Sequence, residues 1–573
     1  MLGSRTGAAV LLITILTWTD ACAALGAGGT GPRGDGPGSN SAPKRILAAV
    51  MSDPPLLSFK LNPVSNVPGV DAIDDLVNVG LTTMDDTSTM QARLAEAVPA
   101  LENGLWTFLP DGRMQTTWRI RPDVTWHDGE PFTSADLVFT TTIDQDRDLP
   151  TSRDFAYDLI ESVDARDPLT ITVTWKKPFI EADTMFSQLR GFPLPKHILE
   201  SAYAADESTF LEVPYWSTEF VGTGPYRMKE WIRGGSMQLE ANDAYVLGRP
   251  KVDVIEIKFI PDSNALVANI LAGAVELTLG RSLSVEQAVQ VRDQWPAGRI
   301  GVGIRDWIAV YPQMLNPTPD LITDVQFRRA LMYALDRQEM ADTLELGLAP
   351  VAHAYVSPND AEYPSIEASI VRYEHDPRRA TEMLVSMGLT RGPDGMFVTP
   401  SGGRLAIEVR TTAGDDLQEK AALATAGYWQ RVGIPSDPLL SPRQRARDLE
   451  YRANFPGFEL VRQPTALTYD SLTRFHGKQS PLPETNYVGR NRMRYQNAEF
   501  DGLIDTFLTT ISRTDRVAIL GQIVHHMTDQ VIPLALFHNA QPTIIANRLV
   551  NLRGQGSEGT YAWNAEQWDV SGP

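Results

Sequence analysis

The chain has 573 residues, of which 43 % are hydrophobic and 21 % charged, and its formal net charge is −20. That composition is ordinary for a soluble globular protein, and the length exceeds what one core supports, so roughly three or four structural units are expected. An acidic chain of this size repels phosphate backbones, which argues against nucleic-acid binding, and a single cysteine leaves no internal disulfide to form.

Arg5 precedes an apolar run at 7–18, GAAVLLITILTW. The run is too short to cross a bilayer and suits the core of an export signal. Cys22 follows where bacterial lipoprotein signals place the cysteine that is lipidated, although Thr19 stands where such signals carry Leu. The alternative is a peptidase site at Ala21-Cys22-Ala23, which discards Cys22. Both readings export the chain, and the first anchors it to a membrane by lipid alone. Residues 23–45 are rich in Gly, Pro and Ser and read as a flexible tether.

Residues 46–51 read as a short buried strand, and 62–70 as a loop on their Asn, Pro and Gly content. A helix is expected over 72–81. A strand at 105–109 turns at Pro110-Asp111-Gly112-Arg113 into a second strand around Trp118, Ile120, Val124 and Trp126. Gly129 permits a sharp turn after His127-Asp128, and Thr133 with Asp136 spells a capping box that opens a helix at 137–139. Strands at 160–163 and 169–175 form an antiparallel pair. A short helix begins at 195–199. Gly222-Thr223-Gly224-Pro225 turns into a strand, and it lacks the Lys and Ser/Thr a phosphate loop would need. Strands follow at 237–241 and 254–260, a helix at 265–272 and a return to a strand at 273–277. Beyond 301 helical spacing dominates: 325–335, 338–346, 377–387 ended by Gly388, 416–432 ended by Gly433, 500–511 and 516–527. Strands at 405–410 and 531–537, with short ones at 544–546 and 549–552, complete a mixed pattern without a strict βαβ repeat and without internal repeats.

Catalytic and metal signatures are missing from the sequence: no G-x-S-x-G, H-E-x-x-H or Walker A occurs, and no cofactor is implied. His525 and His526 are neighbours on a helix and point about 100° apart, which does not suit a shared metal. His127-Asp128 offers an acid–base pair for a secreted hydrolase, but adjacent residues on a turn more often bond the turn's own backbone. Tyr215, Trp216, Trp307, Tyr311, Phe455 and Phe458 lie outside clean element faces and fit either a ligand cleft or interdomain packing.

The spelling of 118–139, WRIRPDVTWHDGEPFTSADLVF, resembles the hallmark of the extracellular solute-binding proteins of family 5, the oligopeptide/dipeptide type, which read roughly LRxGVxFHDGxPFTAxDVVFS. Other segments resemble the same family in the same order. Among them are LAEAVP at Leu94, LPKHIL at Leu194, GTGPYRMKEW at Gly222, DVQFRRALMYALDRQEM at Asp324, HDPRRATEMLVSMGL at His375 and NAEFDGLIDT at Asn497. Each segment alone is weak; together they cover about 46–555.

The resemblance implies an α/β fold of the two-lobed periplasmic-binding-protein type (type II, cluster C), with a hinge and an extra domain. By analogy lobe I takes 45–68, 180–297 and 530–573, the extra domain 69–179 and lobe II 298–529. It implies a monomer that captures a peptide or other small solute between its lobes and passes it to the permease subunits of an ABC transporter, with no catalysis. In peptide-binding relatives a lobe II Gly-Trp is followed shortly by an Asp that pairs the peptide ammonium. The matching stretch here is Gly457-Phe458-Glu459-Leu460-Val461, so Val461 replaces that Asp and Glu459 is the nearest carboxylate. Losing a buried charge-assisted bond costs on the order of 2–5 kcal/mol. Either Glu459 supplies the charge, or the ligand is a sugar, an opine or another non-peptide, or the fold serves as a ligand sensor. Arg443 and Arg462 are candidates for a ligand carboxylate. Asn66, where the N-terminal segment departs from the family, completes the set of expected ligand contacts with Gly457, Phe458 and Glu459.

Overall fold

The computed structural model describes residues 42–58, 68–149, 154–399 and 402–571. The expected export signal, Cys22 and Asn66 lie outside them. One ten-stranded mixed sheet runs through the described chain. Its centre is an antiparallel pair of long strands, Gly298–Pro312 and Leu534–Ala546. At about 3.3 Å per residue the longer one spans roughly 50 Å, enough to cross both halves of the molecule.

On one side of this pair lie Leu277–Thr278, Arg45–Val50, Val254–Phe259, Ser236–Ala241 and Tyr226–Ile232; on the other lie Phe458–Pro464, Ile407–Thr412 and Ser436–Ser441. Each half has its own core. In the first, Ile46, Ile255, Leu239 and Trp568 pack together. In the second, Phe327, Leu331, Trp429 and Phe458 do so. These are the two lobes. The crossing strands lose register where they pass between them: Ile304 pairs Ala540 and Asp306 pairs Asn539, so Arg305 is an extra residue. A bulge of this kind bends and twists a strand locally. Gly301 and Gly303 let the C-terminal segment lie on the strand. A Cβ at Gly303 would come 2.1 Å from the Gln555 side chain, and one at Gly301 2.6 Å from the Tyr561 hydroxyl.

The extra domain is a four-stranded antiparallel sheet in the order Trp106–Phe108, Met114–Arg119, Thr170–Trp175, Ile160–Asp167. Its helix, Ser134–Gln145, starts with the expected capping box between Thr133 and Asp136. The strand before the turn ends at Arg119, so Val124 and Trp126 belong to the loop, where they are buried all the same. Two expectations in the crossing region need correction. The expected strands 531–537 and 544–546 fall in one strand that starts at Leu534, interrupted in sequence by polar residues that are nevertheless buried: His538, Asn539 and Thr543. The strand Gly298–Pro312 carries three glycines and no clean alternation, which hid it. Among the described residues no helix is long and apolar enough to cross a membrane.

Candidate functional site

His127 is half-buried and bound at both ring nitrogens. Its Nδ1 accepts from the Gly222 N–H at 3.2 Å, so Nε2 carries the proton and donates to the Gly224 carbonyl at 3.0 Å. Burial pushes its pKa down to about 4, and the nearby Arg227 adds to that. Asp128 pairs instead with His197 at 2.8 Å. Three of the family-like segments are thereby tied into one structural knot. Neither group of the His-Asp dipeptide is available as an acid or a base at a cleft.

The side chains expected to hold a ligand are engaged elsewhere. Glu459 is 4 % exposed and accepts from two arginines, Arg410 at 3.4 Å and Arg492. Phe458 packs on Trp429 with ring centroids 5.0 Å apart, and a Cβ on Gly457 would come 2.4 Å from the Glu408 carbonyl. Arg462 is ion-paired with Asp415, and Arg443 donates through Nε to the Ala413 carbonyl at 3.0 Å. The six aromatics that suited a cleft or packing are all core residues. Groups of three or more His, Cys, Asp or Glu that could hold a metal are missing among the described residues.

The space that fits a ligand lies between the lobes, in a cavity of about 330 Å3. Its lining includes Ser88, Glu181, Asp183, Arg190 and Glu558. It also includes Asp360, Glu362, Asp470, Arg474 and Arg516, all from the stretch between the two crossing strands. None of Arg443, Gly457, Phe458, Glu459 or Arg462 is among the lining residues. The lobes meet at the cavity rim. The Ser88 hydroxyl donates to Asp360 at 2.7 Å, the Ala361 N–H to the Thr87 carbonyl at 3.1 Å, and the Tyr469 N–H to Glu181 at 2.8 Å. Phe155 and Tyr469 bring their rings to 4.9 Å. These contacts bring the two sides together at the rim of a partly open space.

The family described as "Bacterial extracellular solute-binding proteins, family 5 Middle" matches residues 96–452, well over half of the chain. The chain belongs to that family. The oligopeptide-binding protein AppA of Bacillus subtilis is 26 % identical over 440 residues, 75 % of each chain. Its solved structure with a nonapeptide superposes with a TM-score of 0.62 at 21 % identity, covering 92 % of this chain and all of that one. NikA of Brucella suis, solved with Fe(III)-EDTA, gives 0.71 at 17 % identity, covering 92 % and 100 %. As a family 5 solute-binding protein the chain binds and does not transform its solute, and it works outside the cytoplasm.

Within this solute-binding protein the cavity charges were the feature sequence reasoning missed. Arg190 is saturated by Asp154 at 3.0 Å and by Glu181. Glu362 is held by Arg513 and Asp470 by Arg490, each at 2.8 Å. Burial raises Asp183 to about pKa 6, against the pull of Arg516, and Asp360 to about 7. Arg474 and Arg516 are both pushed down by burial. These residues are far apart in sequence and belong to no motif. Only the closing of the lobes collects them.

Proposed function

We propose that the chain is the solute-binding component of an ABC importer and that it captures a short peptide or peptide-like zwitterion, which it delivers to the permease. The observation that carries this reading is the interlobe cavity, whose lining bears uncompensated charge of both signs. A site that buries charge needs charge in its ligand. A free peptide brings one ammonium and one carboxylate, whereas a neutral sugar would leave both kinds of group unpaired. The volume of about 330 Å3 stands at the lower end of the roughly 300–1,000 Å3 usual for small-molecule sites, so the ligand is short.

The same reading assigns lobe I to 45–68, 180–297 and 530–573, the extra domain to 69–179 and lobe II to 298–529. It takes the mature chain as a monomer held on the membrane by a lipid on Cys22. A Cys22→Ser chain is then expected to leave the membrane fraction in detergent-free fractionation. The ligand class is tested by native mass spectrometry of the exported protein, followed by a thermal-shift screen of di- to pentapeptides, sugars and opines. Peptides of two or three residues are expected to raise Tm, by mass action on the folded state. A Tm raised only by sugars or opines, or binding of a partner protein alone, would overturn the reading.

A further inference from the structure

Taking the peptide reading as its basis, we infer that the solute lies with its carboxylate against Arg474 and Arg516 of the second lobe and its ammonium against Asp183 and Glu558 of the first. The argument is an account of which cavity charges are already answered. On the first-lobe side, Asp154 and Glu181 share Arg190. On the second-lobe side, Glu362 has Arg513 and Asp470 has Arg490. Asp360 takes the Ser88 hydroxyl across the rim through one oxygen, its other oxygen has no hydrogen-bond partner among the described residues, and burial raises its pKa to about 7. The ion pairs within each side stay matched whether or not a solute is present.

With Asp360 set aside as the lining carboxyl that burial brings closest to neutral, the remaining charges divide by lobe. Arg474 donates only to the Gln463 side chain and keeps a buried Nε without a hydrogen-bond partner among the described residues. Arg516 donates to the Thr510 and Ile511 carbonyls, both at 3.3 Å. Among the described residues neither guanidinium has a carboxylate within ion-pair distance. Facing them, Asp183 follows the extra domain, and Glu558 sits on the C-terminal loop that Ser557 fastens to the Ser88 hydroxyl at 2.9 Å. Neither carboxylate has an ion-pair partner among the described residues. Asp183 and Arg516 feel each other's charge without touching, as do Glu558 and Arg474. Two cations on one wall and two anions on the other make a field across the cleft, and it strengthens as closure removes water. A zwitterion is oriented by that field. The position where peptide-binding relatives keep an ammonium-binding Asp is Val461, packed in the apolar core, so nothing there competes for the ammonium.

The test crosses protein variants with capped ligands. Trialanine, its C-terminal amide and its N-acetyl form are titrated calorimetrically at pH 7. Against the unmodified chain each cap is expected to weaken binding about ten-fold or more, since each removes a charged hydrogen-bonding group. In Arg474→Gln/Arg516→Gln the amide penalty is expected to vanish and the acetyl penalty to persist. In Asp183→Asn/Glu558→Gln the pattern is expected to reverse. Should a double variant not fold, Arg516→Gln and Asp183→Asn alone repeat the cycle with smaller changes. Penalties unchanged in all variants, or lost in the opposite pairing, would overturn the orientation while leaving peptide capture intact. An unmodified chain that binds none of the three would overturn both.

Discussion

Glu459 is the carboxylate that sequence comparison brings closest to a ligand role, and the fold spends it on Arg410 and Arg492. Removing one partner from a buried ion cluster leaves uncompensated charge, which costs about 3–5 kcal/mol. Glu459→Ala is therefore expected to lower unfolding free energy by that amount in urea titration. A change below 1 kcal/mol would mean the cluster is not what holds this strand. The two arginines lie 49 and 33 residues away in sequence, so no local pattern could have shown that the charge was taken. His127 makes the complementary case. Burial holds it near pKa 4 against an ordinary 6.5, so protonating it in the folded chain is about 3 kcal/mol harder than in the unfolded one. Above pH 6.5 both states are neutral. Between 6.5 and 4 the unfolded chain binds a proton the folded chain lacks, so this contribution to stability is lost as pH falls. Buried carboxyls such as Asp144, raised to about 8, act in the opposite sense, so the variant difference is the quantity to read. Urea titrations at several pH values should show a shallower loss in His127→Gln, by up to about 3 kcal/mol. Equal slopes would place the ring in water.

At the scale of elements, what was legible was local. The Thr133–Asp136 box, the helix end at Gly433 with its φ of 94° and the turn at Gly112 with φ 87° were all readable from a few neighbouring residues. The crossing strands were not, because their glycines and buried polar residues obey the needs of a hinge, and a strand's alternation does not survive burial on both faces. Their polar groups have partners that only the fold supplies. Glu345, at the end of the helix Arg337–Leu344, accepts from the Asn539 side chain and the Ala540 N–H, both at 3.0 Å, beside the Arg305 bulge. Burial raises its pKa to about 7. An amide in its place must turn an NH2 toward one of these donors. Glu345→Gln is expected to cost about 1–3 kcal/mol, the penalty for an unsatisfied buried polar group. Hydrogen exchange should accelerate first within Leu534–Ala546. Exchange spread evenly over both lobes would show that Glu345 does not pin the crossing.

For the whole molecule the question is what closure itself contributes to holding a solute. The rim contacts join the lobes, and one of them can be removed without touching the cavity. Tyr469 is absent from the lining, and its ring centroid lies 4.9 Å from that of Phe155 and 6.4 Å from that of Phe179, across the rim. Such aromatic pairs contribute about 0.5–1.5 kcal/mol beyond the area they bury. That energy exists only in the closed form. Its loss lowers the closed population, and apparent affinity falls in proportion. Tyr469→Ala is thus expected to weaken binding by about two- to ten-fold, mainly through faster dissociation, although the residue touches no ligand. The Tyr469 N–H still donates to Glu181 in the variant, because that bond belongs to the backbone. Stopped-flow dissociation would read the rate, and small-angle scattering without solute would read the mean lobe separation, which should increase. If affinity, dissociation rate and scattering all matched the unmodified chain, the aromatic contact would be a consequence of closure with no share in its energetics. The solute's own charges would then carry the lobes together unaided.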